Sequence, residues 1–551
     1  MTERAGPPLG WRAGLLAWLA FSGLALLLYE PALHGPLLSD DLLYFVNRDY
    51  MQSLTLANVE TILDPRGDPV LLTWNWAPLH LLAHSGLRAL FGSFAETYPH
   101  HVANVVLHAG NATLLLALLA ACGVPLLAAA AGALLFLVHP ANVEAVAWIF
   151  QLKTLLSFGL GMTALLLLVR RPALATLAFA CGLLVKPSAA GVLAAAIVFE
   201  WLRVPGAGEL PRRTRWLLAW AALFAAYALP ELSAFRNTGE FRLALPADQR
   251  LLQALAIVGH YAWLALGFGT STFHQPAPPG SLLDPWLLLG SGTLLGLATL
   301  SVVALRSRHP AAPWLGLAAA SYAPVSQLLA FRYPMADRYL YFVLPGLLGA
   351  ALVSAAPWLE AAFAALRTRG PRAAPGLLAL GIGTTVLAFG FALHARERAA
   401  VFGSPERFER DAAQHYPEGL AGQLGRARRA LGEGDVPGAL DALETAHRQG
   451  YRSALVMLSD PSLRRLAGEP RFAALAREMA REWVAHFETL PRVGPDLLVD
   501  LLQHQLLLED AAGARATIAR LEAMPDRVDP ALVRRLRSDV ERALGSSGRR
   551  D

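Results

Sequence analysis

Long apolar segments recur between residues 11 and 395, and they limit the fold more than any other feature of the chain. Only 16% of the 551 residues are charged, whereas a soluble domain usually carries about 25%. Lipid cannot satisfy backbone polar groups, so apolar segments of this length must become helices. Residues 396–551, by contrast, have ordinary soluble levels of Arg, Glu and Asp. The sequence therefore predicts an all-α protein, a polytopic membrane bundle followed by a soluble helical domain.

We interpret 1–398 as the membrane domain and 399–551 as the soluble domain. The first apolar segment, Ala13–Tyr29, follows two arginines and is interpreted as an uncleaved signal anchor with a cytoplasmic N-terminus. Short loops rich in Arg should be cytoplasmic. The segment 251–269 is a doubtful span, and we take it not to cross because the Arg clusters that follow it then lie inside. The other predicted spans lie at about 101–121, 125–139, 145–169, 172–186, 188–203, 216–230, 284–305, 311–331, 339–356 and 374–394.

This topology has about eleven spans and two large external loops, 31–99 and 231–283. It makes the chain an integral protein of a bacterial inner (plasma) membrane with a periplasmic C-terminal domain. The pI of about 9.3 does not indicate a nucleic-acid partner, because the arginines are spread over short loops and the tail. Cys122 and Cys181 lie in apolar stretches, so we expect neither a disulfide framework nor a metal site from them.

Four polar residues share one face of a predicted span, because His101, Asn104, His108 and Asn111 are spaced i, i+3, i+7 and i+10. Polar and ionisable groups in an apolar span are costly. Two interpretations remain open. The face is either a polar seam that joins helices through side-chain hydrogen bonds, or the lining of a cavity that receives an acceptor. His80, in the first external loop, is a further candidate for that lining.

The sequence HPANVEAVAWI places several polar groups at another helix boundary. Pro140 should end one apolar helix, and Asn142 can cap the next. Glu144 then falls in the first turn of that helix, where a carboxylate is favoured. Capping accounts well for Asn142. It accounts less well for His139 and Glu144, which border the predicted external face.

Asp40 and Asp41 open the first external loop in LLSDDLLYF. Two adjacent carboxylates could act as a base or hold a cation, although Ser-Asp-Asp is also a helix start. Lys186, in LLVKPS, could reach into a site or to the lipid surface. Arg338, in MADRYLYF, opposes the positive-inside trend and needs a partner, for which a phosphate group is suited. The candidates fall on one predicted face, and this convergence supports a site.

The external loop 31–99 mixes aromatic and polar residues. Because Trp and Tyr prefer the membrane interface, we expect short helices that lie on the bilayer. The segment WNWAPLHLLAHSGLRALFG is predicted to be one of them.

Several motifs, in this order, resemble those of the transmembrane and tetratricopeptide repeat O-mannosyltransferases and their bacterial relatives, within the GT-C glycosyltransferase superfamily. The resemblance covers most of the membrane domain and rests on SDDLLYFVNRD, WAPLHLLAHSGLRALFG, YPHHVANVVLHAGNATLLL, HPANVEAVAWIFQLKTLLS, LLVKPSAAGVL and MADRYLYFVLPG. The HP…VEAVAWI and RYLYF elements are the most specific. Two elements depart from the family pattern: Ala77-Pro78-Leu79 replaces Arg-Pro-Leu, and 150–154 replaces a Gly-Arg-Lys-Asp-like run.

The resemblance implies a GT-C-type membrane fold and a hexosyltransferase with a polyprenyl-phosphate sugar donor. It assigns the base, or the residue that orients the acceptor, to Asp40 or Asp41. The residues expected to contact the donor and its phosphate are Arg338, Lys186, Glu144 and His139. A divalent cation on Asp40, Asp41 and Glu144 is compatible with this chemistry but not required by it.

Residues 404–551 read as helical hairpins of tetratricopeptide type. Small residues at Gly434, Ala439 and Ala446 would let two paired helices pack closely, and a weaker copy contains Ala514 and Pro525. Such domains bind peptides or partner proteins.

The leading hypothesis is a membrane glycosyltransferase of GT-C type. It would transfer a sugar from a polyprenyl-phosphate donor, on the external face, to a protein or glycan held near the C-terminal repeats. One alternative is a non-catalytic tetratricopeptide-repeat scaffold for envelope assembly. Another is a transporter of lipid-linked sugars, which should carry ionisable residues at mid-membrane and inverted repeats. The ionisable residues here gather at one face instead.

Overall fold

A computed structural model describes residues 9–45, 48–73, 75–203, 213–236, 247–269, 279–327, 334–369, 375–415, 417–490, 493–525 and 528–547. Within these ranges the regular elements are helices, with no β-strand, which confirms the all-α class. The chain divides into two compact units. Unit 1 consists of Met1–Leu43, Ala77–Leu229 and Ala244–Asp411, and unit 2 of Tyr44–Trp76, Pro230–Leu243 and Ala412–Asp551.

The α-helices are numbered along the chain. The first eleven are α1 (Trp11–Tyr29), α2 (Asp40–Tyr44), α3 (Leu56–Leu63), α4 (Asp68–Thr73), α5 (Pro78–Phe91), α6 (Tyr98–Ala121), α7 (Leu126–Val138), α8 (Val143–Ala147), α9 (Leu152–Leu167), α10 (Pro172–Val185) and α11 (Gly191–Leu202). The next six are α12 (Thr214–Arg236), α13 (Ala247–Ala265), α14 (Pro285–Arg306), α15 (Ala312–Tyr322), α16 (Val343–Arg369) and α17 (Pro375–Val401). The last eight are α18 (Pro405–His415), α19 (Leu420–Glu433), α20 (Val436–Arg448), α21 (Ala454–Ser459), α22 (Pro470–Thr489), α23 (Pro495–Leu507), α24 (Ala511–Glu522) and α25 (Pro530–Ser547).

Seven of the described helical segments are long and apolar enough to cross a membrane, or eight if α7 and the bent segment after it form one span. The seven are Trp11–Ala32, Tyr98–Ala121, Ile149–Leu167, Thr214–Ala234, Pro285–Arg306, Asp337–Thr368 and Pro375–Val401. Helices α10 and α11 are apolar but shorter, and α13, at the doubtful segment, is not among the seven. Several helices of unit 1 could therefore span a membrane. The count of eleven and the side of the C-terminal domain stay predictions.

Helix α6 occupies the middle of unit 1, where it packs against α1, α7 and α9. Helix α10 packs on α9, and α15 packs on both α11 and α16. The helix interiors are built from small and aromatic side chains such as Ala109, Phe136 and Phe158, all of which are fully buried. This packing brings the ends of α6, α8, α9 and α10 near one another, where the polar motifs lie.

Helices α13 and α14 pack closely through two glycines. A Cβ atom at Gly290 would lie 1.8 Å from the carbonyl oxygen of Leu255, and one at Gly259 would lie 2.2 Å from that of Trp286. Both neighbours are backbone atoms, so the two helices could accept a methyl group only by separating. Small residues allow this close approach between apolar helices in lipid.

Gly290→Ala is therefore expected to destabilise the protein by about 1–3 kcal/mol, the usual cost of forcing extra atoms into a packed contact. The measurement is the thermal unfolding midpoint of the purified protein in detergent. Gly296→Ala is the matched control, because it lies on the same helix and its added Cβ would have nothing within 4 Å. The control should be neutral or stabilising by up to about 1 kcal/mol. An equal response of the two variants would contradict the close contact.

Unit 2 contains two helical hairpins of the same construction. Helix α19 ends at Gly434, whose φ of 84° is in the left-handed region, and the Asp435 carboxylate caps α20 by accepting from the Gly438 N–H at 2.9 Å. In the second hairpin, Asp510 caps α24 by accepting from the Gly513 N–H at 2.9 Å. Ala439 and Ala446 are fully buried between helices. The helical hairpins expected in 404–551 are present, and their assignment to tetratricopeptide repeats stays a prediction.

Part of the loop 31–99, which was predicted to be external, belongs to unit 2. Helices α3 and α4 are short, as expected for this loop. However, Asp68 at the start of α4 is buried and accepts a hydrogen bond of 2.7 Å from the Gly494 N–H, just before α23. Arg48 forms an ion pair of 3.3 Å with Asp500 on α23. These contacts attach the segment to the C-terminal helices.

Candidate active site

A buried ion pair between Glu144 and Arg338 lies at the centre of the candidate site. Glu144, in the first turn of α8, is 2% exposed, and its Oε1 pairs with the Arg338 guanidinium. Its Oε2 accepts the backbone N–H of Arg338 at 2.8 Å. The Arg338 guanidinium also lies 5.3 Å from the Trp148 ring, within cation–π range. Arg338 was expected to need a partner, and the partner in the structure is Glu144 rather than a phosphate alone.

The chain breaks between α8 and α9, and Asn104 holds the break open. Trp148 is extended there, with φ of −85° and ψ of 120°. The Asn104 side chain donates to the carbonyls of Val146 at 3.2 Å and Trp148 at 3.0 Å. The Trp148 carbonyl also accepts the Gln151 N–H at 3.0 Å, so the Asn104 amide adds a second donor there and joins α6 to the end of α8. Asn104 thereby positions the Trp148 ring beside Arg338.

The other members of the α6 face also bind backbone or buried groups. The Nε2–H of His108 donates to the Leu137 carbonyl at 3.0 Å, which leaves Nδ1 to accept from the Tyr341 hydroxyl at 2.7 Å. Asn111 donates to the Leu155 carbonyl at 2.9 Å and to the Tyr341 oxygen at 3.0 Å. The Nε2–H of His101 donates to the Gly35 carbonyl at 3.1 Å. The structure thus favours the polar seam over an open cavity lining for this face.

His139 and Asn142 have structural partners instead of site contacts. The Nε2–H of His139 donates to the Ala265 carbonyl at 3.1 Å, and its Nδ1 accepts from the Ala141 N–H at 3.2 Å. Both ring nitrogens are therefore engaged with backbone. Asn142 was expected to cap the next helix, and it does lie at the N-cap position of α8. Its amide, however, donates to the Phe136 carbonyl at 2.7 Å, and its side chain makes no cap hydrogen bond.

Lys186 points into the protein and not toward the lipid surface. Its ammonium donates to the Thr154 hydroxyl at 2.7 Å, and it interacts electrostatically with Lys153, Arg338 and Glu144. The first turn of α9 therefore contributes to the same cluster as α8 and α10.

Lys153 is the site residue that sequence reasoning missed. It was passed over because the run 150–154 lacks the arginine of the family pattern. Its ammonium lies 3.9 Å from the Phe150 ring centroid, beside Lys186. A compositional signal existed: the 47 Lys and Arg residues include only two lysines, and both lie in this cluster. In a chain that otherwise uses arginine for positive charge, a lysine indicates a position that requires the compact ammonium group.

The two carboxylates of the first loop have different environments. Asp41 is 1% exposed, and its Oδ2 accepts the Leu38 N–H at 2.9 Å. Burial raises the pKa of Asp41 well above its usual range, against hydrogen bonds from Leu38 and Phe150 that lower it. Asp40 is only half-buried and interacts electrostatically with Arg338. Asp40 therefore interacts with Arg338, while Asp41 holds the loop in place through Leu38.

The structure does not gather Asp40, Asp41 and Glu144 around one point. They are not among the described groups whose ligand atoms all lie within 4.8 Å of one another. Both Glu144 oxygens are also occupied by Arg338. These three carboxylates are therefore poorly arranged for a shared divalent cation.

His80 begins a row of buried imidazoles beside the cluster. Its ring centroid lies 5.0 Å from that of Phe150 and 4.8 Å from that of His84, which in turn stacks on His100 at 5.8 Å. Burial, followed by the charges of His84, Lys153 and Lys186, lowers the pKa of His80 well below its usual range. The imidazole is therefore neutral at physiological pH, so it adds no positive charge to the two lysines.

An apolar groove of about 510 Å³ lies among the helices of unit 1. It is formed by α1, α5, α6 and α9, and its lining includes Trp18, Ala83, Gly86, Gly110, Leu152 and Leu156. Leu152 directly precedes Lys153, and Ala83 lies on the helix that carries His80. The groove therefore shares α5 and α9 with the cluster, although none of the charged side chains of the cluster lines it.

No protein-family model, curated protein or solved structure matches the chain.

Proposed function

We propose that this protein is a membrane glycosyltransferase of GT-C type, which transfers a sugar from a polyprenyl-phosphate donor to a protein or glycan acceptor on the external face of the membrane. The observation that carries the proposal is the cluster of Lys153, Lys186 and Arg338 at the ends of apolar helices, together with an apolar groove whose lining includes Leu152, the residue before Lys153. The motif resemblance supports the same reaction class.

The charges of the cluster favour an anionic ligand. Glu144 neutralises Arg338 by direct contact, and Asp40 lies near enough to interact with the same arginine. The two lysines interact with each other, and like charges in a poorly solvated place repel. An anion placed between them would relieve this repulsion, and a phosphate with several oxygens would accept from both ammonium groups.

The groove supports a donor that is part lipid. Its lining is almost entirely apolar, with two glycines that leave room for a chain between α5 and α6. A polyprenyl chain in this groove would place its phosphate next to Lys153, because Leu152 forms the end of the lining on α9. A polyprenyl phosphate would thus bind the groove with its apolar chain and the cationic cluster with its phosphate.

In the proposed reaction, Asp40 removes the proton of an acceptor hydroxyl, and the hydroxyl oxygen forms a bond to the anomeric carbon of the sugar. The bond between that carbon and the phosphate oxygen breaks, and the electron pair leaves with the phosphate. Lys153, Lys186 and Arg338 stabilise the charge that develops on the leaving phosphate. The C-terminal repeats are proposed to hold the acceptor.

Removing either lysine charge should therefore reduce turnover strongly. Lys153→Gln and Lys186→Gln are each expected to lower kcat by about 10²–10³, as for the loss of one group that stabilises a developing anion. Lys→Arg at either position should also fail to restore activity, because the planar guanidinium cannot occupy the site of a compact ammonium. The measurement is sugar release from a radiolabelled polyprenyl-phosphate hexose by purified protein in nanodiscs.

Arg170→Gln is the matched control, because Arg170 is an exposed cation in the short loop after α9, and its turnover should equal that of the wild type. If the wild type consumes no lipid-linked sugar from a panel of polyprenyl-phosphate hexoses, the scaffold alternative replaces the proposal. If the protein moves the intact donor across the bilayer without cleaving it, the transporter alternative replaces it.

A further inference from the structure

Three potential metal ligands converge in unit 2, far along the chain from the catalytic motifs. His447 lies in the last turn of α20, and Glu478 and Glu482 lie on α22. The two glutamates are four residues apart, so they share one face of their helix. One ligand atom from each of the three side chains lies within 4.8 Å of the others.

The imidazole of His447 is oriented as in a metal ligand. Its Nδ1–H donates to the Tyr451 carbonyl at 3.0 Å, and the side chain is buried. This hydrogen bond fixes the tautomer and leaves the lone pair on Nε2, the arrangement that backbone carbonyls impose on ligating histidines. Nε2 faces the Glu482 Oε1 at 3.5 Å, which is longer than a hydrogen bond.

A lone pair that faces a carboxylate requires a positive species between them, either a proton or a metal ion. A proton would serve His447 and Glu482 alone and would leave Glu478 without a role. A metal cation could bind His447, Glu478 and Glu482 together. Arg452 pairs with the other oxygen of Glu482, so it holds that carboxylate in place while Oε1 remains directed at His447.

We propose that His447, Glu478 and Glu482 bind one divalent cation of the zinc class, with water at the fourth position. One imidazole nitrogen and two carboxylate oxygens are ligands that zinc accepts in proteins. The ion fastens α20 to α22. The same two helices contribute Leu443 and Met479 to the hydrophobic core of this region, so the ion closes the polar edge of that core.

The test uses full-length protein in detergent, stripped with EDTA and then dialysed against zinc chloride. Bound zinc is measured by mass spectrometry, and stability by the thermal unfolding midpoint. We expect the wild type to hold about one equivalent more zinc than Glu478→Gln, and zinc to raise its midpoint, since a ligand that binds only the native state stabilises it. The apparent zinc affinity of the variant should fall at least about tenfold.

Glu488→Gln is the matched control, because Glu488 is an exposed glutamate on the same helix, and it should behave as the wild type does. Glu478 is also exposed, so both variants should unfold at the wild-type midpoint in EDTA. His447→Gln is a second variant, and it is expected to lose the bound zinc and the stabilisation by zinc as Glu478→Gln does. Equal zinc content and an equal midpoint response in the wild type and Glu478→Gln would overturn the proposal. So would a wild type that gains neither zinc nor stability.

Discussion

Glu144→Gln is expected to destabilise the protein by about 3–5 kcal/mol, because it leaves the Arg338 guanidinium buried without a counter-charge. Glu144 is 2% exposed and the Arg338 side chain 10% exposed, so water screens the pair little. The substitution also weakens the hydrogen bond from the Arg338 N–H, which joins the start of α8 to the segment before α16. The measurement is the free energy of unfolding of purified protein by SDS titration in mixed micelles.

The double variant Glu144→Gln/Arg338→Met should recover part of this loss, because both buried charges are then absent. A double-mutant cycle should give a coupling energy of about 1–3 kcal/mol. Glu30→Gln is the matched control. Glu30 pairs with Arg396, but the two side chains are 61% and 48% exposed, and an exposed pair contributes at most about 1 kcal/mol. A loss in Glu144→Gln no larger than in Glu30→Gln would show that the central pair is solvated.

The sequence marked Glu144 and Arg338 because a charge at the end of an apolar helix is costly. It could not show that they pair, since 194 residues separate them and nothing local records the partner. The spacing of His101, Asn104, His108 and Asn111 predicted their shared face correctly. Their partners are the Tyr341 hydroxyl and backbone carbonyls on other segments of the chain, such as those of Gly35, Trp148 and Leu155, and hydropathy does not reveal such contacts.

Two further features of the structure were not predictable from local pattern. Lys153 lies in a run, 150–154, that lacks the arginine of the motif it resembles. The rarity of lysine in this chain is the sequence signal that marks this position. The hydrogen bond between Asp68 and Gly494 joins residues that are 426 positions apart, and the local composition of the first loop carries no signal of such a contact. The helical class, by contrast, follows directly from the apolar segments.

Asp40→Asn is expected to lower kcat by about 10²–10⁴, the usual contribution of a general base, with folding unchanged. Asp40 is half-buried and interacts with Arg338, where an acceptor hydroxyl and the donor phosphate would meet. A base must reach the proton that it removes. The measurement is sugar transfer under saturating donor, with the thermal unfolding midpoint of each variant recorded alongside.

Asp41→Asn is expected to lower stability and substrate binding more than kcat. The Asp41 carboxylate is almost fully buried and accepts the Leu38 N–H, so its loss should cost about 1–3 kcal/mol of stability. The same loop positions Trp148, whose indole N–H donates to the Leu38 carbonyl at 3.2 Å. We therefore expect a lower midpoint, a raised KM and a kcat within about tenfold of the wild type, because a loosened loop weakens binding more than chemistry.

Glu60→Gln, an exposed carboxylate of the same loop on α3, is the control for both variants and should leave kcat and midpoint unchanged. If Asp41→Asn abolishes kcat while Asp40→Asn retains it, the base is Asp41. The pKa of Asp41, which burial raises, would then favour proton uptake by this carboxylate. If both retain kcat, neither carboxylate is the base, and the cationic cluster alone would have to account for the reaction.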